Sequence, residues 1–166
     1  MVNIISQIIN SLKGVVSKEL IVFIISLMPL LELRGGLIAA AILNVEYLKA
    51  GILCIIGNII PIPFILLFLK KVFSVMERFK PTKKVVVWLE DKAKKNKPKI
   101  DKYGFWGLVL FVGIPLPGTG AWTGSLVASV FEMDYKKSLL AIFLGIILAF
   151  IIMSIVSYGV IGNIIR

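Results

Sequence analysis

Apolar residues along this chain fall into long runs, two of which are broken by polar residues and glycines. The first run, Leu20–Leu31, stops at Glu32-Leu33-Arg34-Gly35-Gly36 and resumes over Leu37–Leu43. A clean run of 20 residues follows, Ala50–Leu69, long enough to cross a hydrocarbon core of about 30 Å. The second broken run, Phe105–Phe131, is interrupted by Pro115-Leu116-Pro117-Gly118-Thr119-Gly120-Ala121-Trp122-Thr123-Gly124, and a second clean run covers Ser138–Ile161. Short polar turns, Asn44–Lys49 and Glu132–Lys137, join each broken run to its clean partner. Over residues 3–16, Ile4, Ile5, Ile8, Ile9, Leu12 and Val15 recur at helical spacing, which predicts an amphipathic helix at the membrane interface. Pro61 and Pro63 predict a kink near the cytoplasmic end of the first clean span.

The two halves overlay without a gap at a separation of 88 residues, with ten identities: Leu20/Leu108, Phe23/Phe111, Pro29/Pro117, Gly36/Gly124, Ala40/Ala128, Tyr47/Tyr135, Lys49/Lys137, Gly57/Gly145, Ile59/Ile147 and Val72/Val160. About five are expected by chance from so skewed a composition, so the positions matter more than the number. They fall at the break, the restart, the turn and the mid-span, and each half reads as broken run, turn, clean span. Leu20–Leu31 would make only about 18 Å of helix. A hairpin of two half-helices fits that length. A full crossing also fits, with Glu32 and Arg34 near the midplane. Residues two apart do not face each other on a helix, so a continuous helix would need separate partners for the two charges, which favours re-entry. The expected fold is an all-α integral membrane protein with two inverted repeats, each a re-entrant hairpin plus a transmembrane helix. It forms one domain over 1–166, with repeat 1 at about 20–72, a basic linker at about 73–102 and repeat 2 at about 103–162.

Composition removes the soluble alternatives. The chain of 166 residues is 58% hydrophobic, with a mean hydropathy of +0.97, more apolar surface than a soluble domain of this size could hide. The net charge of +10 is uneven, because twelve of the nineteen Lys and Arg residues lie between Lys70 and Lys102. Such loops stay cytoplasmic, which sets the orientation in the cell membrane, and the segment is suited to anionic lipid headgroups rather than nucleic acid. Within it, Val85–Ala93 reads as a helix on the inner membrane surface. With no histidine and one cysteine, Cys54, intramembrane serine proteases, metalloproteases and nearly all zinc sites are excluded. Asp91, Asp101 and Asp134 sit in polar segments, which excludes an aspartyl membrane protease. No enzyme activity, metal or cofactor is expected.

The two interruptions carry the candidate chemistry. Ionisable groups at bilayer depth are costly and mark transport pathways, and paired interruptions in two halves point to a secondary-transporter site. Glu32 is the candidate proton-coupling or cation-binding group, with a static pair to Arg34 as the structural alternative. Arg34 can hold a phosphate or carboxylate through two parallel hydrogen bonds. Gly35 and Gly36 permit a tight turn and close packing. Pro115, Pro117, Gly118 and Gly120 should end one helix and start another, with Thr119 its candidate N-cap. The new helix start would offer free N–H groups to an anion. Trp122 could stack on a cargo or face lipid, Thr123 would pack, and Gly124 could serve packing within or between chains, leaving a homo-oligomer open.

These two motifs resemble the small multidrug export protein family, a distant relative of the DedA/VTT membrane proteins, over nearly the whole chain from about residue 18. The resemblance implies inverted repeats of re-entrant hairpin and transmembrane helix, and a transport role with the motifs at the hairpin tips. DedA relatives are associated with flipping polyprenyl-phosphate carriers and with proton-driven transport. This chain is shorter, and their spacing of charged residues is not found beyond Glu32 and Arg34. The expected function is therefore a small-molecule exporter driven by protons. A flippase for an anionic lipid carrier and a non-transporting assembly protein are the alternatives.

Overall fold

The computed structural model describes residues 2–76, 87, 102–116 and 118–155. Five helices fill the first half: α1 (Val2–Leu12), α2 (Lys18–Leu27), α3 (Glu32–Ile42), α4 (Tyr47–Ile59) and α5 (Pro61–Met76). In the second half, the described part of α6 covers 102–113, followed by α7 (Ala121–Val130) and α8 (Tyr135–Ser154). No strand occurs among the described residues. Most of the expected basic linker, including Val85–Ala93 apart from Val87, lies outside them, as do Pro117 and the residues after Ile155.

The N-terminal segment is helical as its spacing predicts, but shorter, ending at Leu12 before a turn in which Gly14 has φ 89°. Ile5 and Ile9 are buried, while Ile4 stays exposed. The helix therefore lays a narrow stripe on its neighbours α2 and α3.

Ser17 starts α2 by accepting a hydrogen bond from the Leu20 amide, satisfying one of the donors a helix start leaves free. The chain turns at Met28–Leu31, and α3 runs back alongside α2. The ends of this hairpin meet: Lys18 Nζ donates to the Asn44 carbonyl at 3.1 Å, and Glu19 pairs with Lys49 at the start of α4 at 3.0 Å. Its own backbone N–H, then Lys49, hold the half-buried Glu19 carboxyl below the usual carboxylate range. With 10 and 11 residues, the arms are about 15–17 Å long. Residues Glu32–Ala40 of α3 are all buried, so this helix lies at the centre, against α2, α4 and α8.

Two helical stretches among the described residues are long and apolar enough to cross a membrane, Tyr47–Phe68 and Tyr135–Ser154. The first is interrupted at Ile60, because Pro61 and Pro63 remove two backbone donors. That break falls past the middle of its 22 residues, deeper than the kink expected near one end. Tyr47 stacks on Phe150 with ring centroids 5.7 Å apart, and Gly51 also lies against Phe150. The start of α4 thus sits beside the end of α8.

Among the described residues both halves run helix, turn, short helix, long helix. Left-handed backbone recurs at the 88-residue spacing, at Leu30 and Gly118 (φ 73° and 80°), Glu32 and Gly120 (52° and 138°), and Asn44 and Glu132 (both 50°). The first arms do not follow that spacing. Gly36 and Gly57 both pack on Ser26, whereas Gly124 and Gly145 both pack on Val112, 86 residues further on. The gapless overlay therefore holds from the tips onward and fails before them. The second turn is two residues longer, and Leu20/Leu108 and Phe23/Phe111 are not equivalent positions.

These close approaches make a testable contrast. A Cβ on Gly36 would collide with Ser26 Oγ and lie 2.7 Å from Cys54 Sγ. Ser26 is fully buried and bonded to the Val22 carbonyl, so it cannot retreat. Gly36→Ala should cost about 1–3 kcal/mol. Gly107 is also helical, but a Cβ there meets nothing within 4 Å among the described residues, so Gly107→Ala should be neutral or stabilise by up to about 1 kcal/mol. Thermal unfolding in detergent checks both.

Candidate functional site

A broken helix in a low-dielectric interior exposes carbonyls at its C-terminal end and amides at the next N-terminus, and hydrocarbon offers neither a partner. The second hairpin has such a break between α6 and α7. Arg34 and Glu32, from the first hairpin, fill both sides of it. Arg34 Nη1 donates to the Leu116 carbonyl at 2.9 Å. Its Nη2 lies 3.2 Å from the Val112 and Ile114 carbonyls and 3.0 Å from Thr119 Oγ1. Glu32 Oε1 accepts from the Trp122 amide at 2.9 Å, and Oε2 from the Ala121 amide at 3.2 Å. A carboxylate thus sits on the positive end of one helix dipole and a guanidinium on the negative end of another, the favourable arrangement for each.

The two charges bond to the facing hairpin, and no ion pair joins them to each other among the described residues. The static Glu32–Arg34 pair considered from the sequence is replaced by a clasp between hairpins. Nor is the α7 N-terminus free for an anionic cargo, because the Glu32 carboxylate occupies it.

The local backbone explains this aim. Leu30 and Glu32, neither a glycine, both have positive φ, a conformation that costs an L-residue about 1–2 kcal/mol. Such strain at a tip persists only where other contacts hold it, and here the bonds of Glu32 and Arg34 do so. The break comes at Met28–Leu31, before the charges. Gly35 and Gly36 therefore lie inside α3 and serve close packing rather than a turn: a Cβ on Gly35 would lie 2.8 Å from Leu31 Cβ.

On the second tip, the residue before α7 is Gly120, which has no side chain to cap with. Thr119, expected as the cap, instead turns back to α6. Its hydroxyl lies 2.9 Å from the Ile114 carbonyl and 2.8 Å from the Leu116 carbonyl, and it accepts from Arg34. Gly120 is pressed beneath the Glu32 carboxylate, where any Cβ would collide. Gly124 packs on Val112. The Trp122 indole N–H is buried without a partner among the described residues.

Between the tips lies a cavity of about 300 Å³. Glu32, Arg34, Thr119 and Thr123 supply its polar wall, while Leu30, Pro115, Leu116 and Met153 supply the apolar one, and Gly118 also lines it. The structure thus brings together six of the expected site residues around one space. Gly120 and Trp122 shape the second tip, and Gly35, Gly36 and Gly124 pack helices together, without lining it, and Pro117 lies outside the described residues. Leu30, Leu116 and Met153 were not anticipated as site residues. Leu30 could have been found, because the 88-residue spacing sets it opposite Gly118.

Long apolar helices together with two helix pairs meeting at buried charges, with no strand among the described residues, are consistent with a helical membrane protein. Residues 32–152 match the model of the family described as "Putative small multi-drug export protein", and the chain belongs to that family. Neither curated proteins nor solved structures yield a match to this chain.

Proposed function

We propose that this protein is a multi-pass exporter of small molecules in the cell membrane, carrying its cargo through the cavity between the two tips. The observation that supports this is a cavity of about 300 Å³ walled by Glu32 and Arg34, at the junction of two helix breaks. Binding sites of secondary transporters are built there from discontinuous helices. Two hairpins of the re-entrant kind, inverted with respect to each other, account for several features. The first enters and leaves at one polar end, marked by Lys18, Asn44 and Lys49. Its arms are too short to cross, and α4 begins beside the end of α8.

Glu32 is the coupling group in this reading. As a carboxylate it accepts from two α7 amides. Protonation would cancel the charge and turn one acceptor oxygen into a donor, so an α7 amide would lose its partner and the tips would loosen. Proton entry and cargo movement then share one contact.

The test is proton-driven efflux of a lipophilic dye cation from liposomes holding the purified protein. Glu32→Gln should lower the rate at least about tenfold, the scale of losing a charge-assisted hydrogen bond, and flatten its pH dependence. It should still insert and fold, since the amide oxygen can accept from Trp122. An unchanged rate and pH profile would remove Glu32 from the coupling role.

A further inference from the structure

The rim of the cavity is apolar and bare. Leu30 is 87% exposed and Leu116 55% exposed, with Ile114 and Met28 also exposed beside them. Leu30 holds that position with a left-handed backbone, where its counterpart in the other half is Gly118. A glycine would relieve the strain there. What leucine adds is a branched apolar side chain projecting from the lip of the cavity.

Depth identifies what lies outside this rim. The hairpin starts at a polar end formed by Lys18, Glu19, Asn44 and Lys49. Ten residues of α2 separate that end from the tip, about 15 Å, or half of a core about 30 Å thick. An apolar rim at mid-depth is solvated by acyl chains, whereas an aqueous vestibule would favour polar rim residues.

Resting on the re-entrant reading above, we infer that the cavity opens sideways into the bilayer core and that Leu30 is the cargo-contacting lip. The cargo is an amphipathic small molecule taken from the lipid phase. Its apolar body passes Leu30 and Leu116, and its polar group reaches Thr119, Thr123 and the Glu32–Arg34 wall.

Two measurements test this, the first independent of transport. A bimane label on Leu30→Cys, with the buried Cys54 left in place, should be quenched by lipids carrying a nitroxide deep in the acyl chain and not by aqueous iodide. Quenching by iodide would place the mouth in water. Quenching by neither would mean that another chain covers the rim. Either result overturns the inference, even if export itself is confirmed. The second compares efflux of tetraphenylphosphonium with that of tetramethylammonium. The protein should move only the former, and Leu30→Gly should raise its KM about tenfold without lowering Tm. Equal handling of the two cations, or an unchanged KM, would refute the lip role. If neither cation moves while the label is quenched by lipid, the lateral mouth stands and the export reading fails.

Discussion

Replacing Arg34 by methionine is expected to destabilise the protein by about 3–5 kcal/mol, the range for removing one side of a buried charged network. The Val112, Ile114 and Leu116 carbonyls lose a donor together. Ile114 and Leu116 keep backbone and Thr119 donors, so the buried Val112 carbonyl is the one that bears the cost of about 1–3 kcal/mol for an unpaired group. The Glu32 carboxylate also loses its nearby positive charge. Methionine preserves most of the volume, so the loss reports bonding rather than a void. Lysine should recover part of the stability, because an ammonium reaches fewer acceptors than a planar guanidinium. Thr119→Val removes one member of the same network and should cost about 1–2 kcal/mol. Denaturant titration in detergent, followed by tryptophan fluorescence, ranks the three. A loss for Arg34→Met no larger than for Thr119→Val would mean that the guanidinium does not close the α6 end.

The second large effect is expected at Gly120. An alanine there would place its Cβ on the Glu32 carboxylate in a backbone with φ 138°, which disfavours any side chain. The two penalties together should cost about 2–4 kcal/mol. Gly118→Ala provides the comparison, since its φ is 80° but nothing among the described residues lies within 4 Å of the added carbon. That substitution should cost only the strain, about 1–2 kcal/mol. Removing the collision partner should rescue the larger defect. Glu32→Ala combined with Gly120→Ala should lose less than the sum of the two single changes, the signature of residues in contact. Strict additivity would separate Gly120 from Glu32.

Much of this arrangement is legible in the amino-acid sequence because the bilayer permits few solutions. Apolar runs give the long helices, and prolines and glycines within them mark the breaks. Glu32 and Arg34 stand out because hydrocarbon does not tolerate idle charges. Their partners are not legible. Position 34 reads as charge, yet it bonds to three backbone carbonyls about eighty residues away, and carbonyls carry no residue code. Thr119 looks like a helix cap for the same reason, since its local context fits one while the actual cap comes from another hairpin. The location of the first turn is missed because Gly35-Gly36 looks more like a turn than Met28-Pro29-Leu30-Leu31. The true turn places a leucine and a glutamate in left-handed backbone, a choice that local propensity argues against and tertiary bonds enforce. The longer second turn is hidden as well, because a two-residue shift leaves chance identities in a skewed composition.

Hydrogen exchange at the Ala121 and Trp122 amides, resolved by NMR in the full-length protein, tests most directly whether one hairpin's charges cap the broken helix of the other. Both amides should exchange slowly and become at least tenfold faster in Glu32→Ala, with amides of α8 such as Ile142 and Ile146 unchanged. Equal protection of Ala121 and Trp122 with and without the Glu32 carboxylate would contradict the clasp.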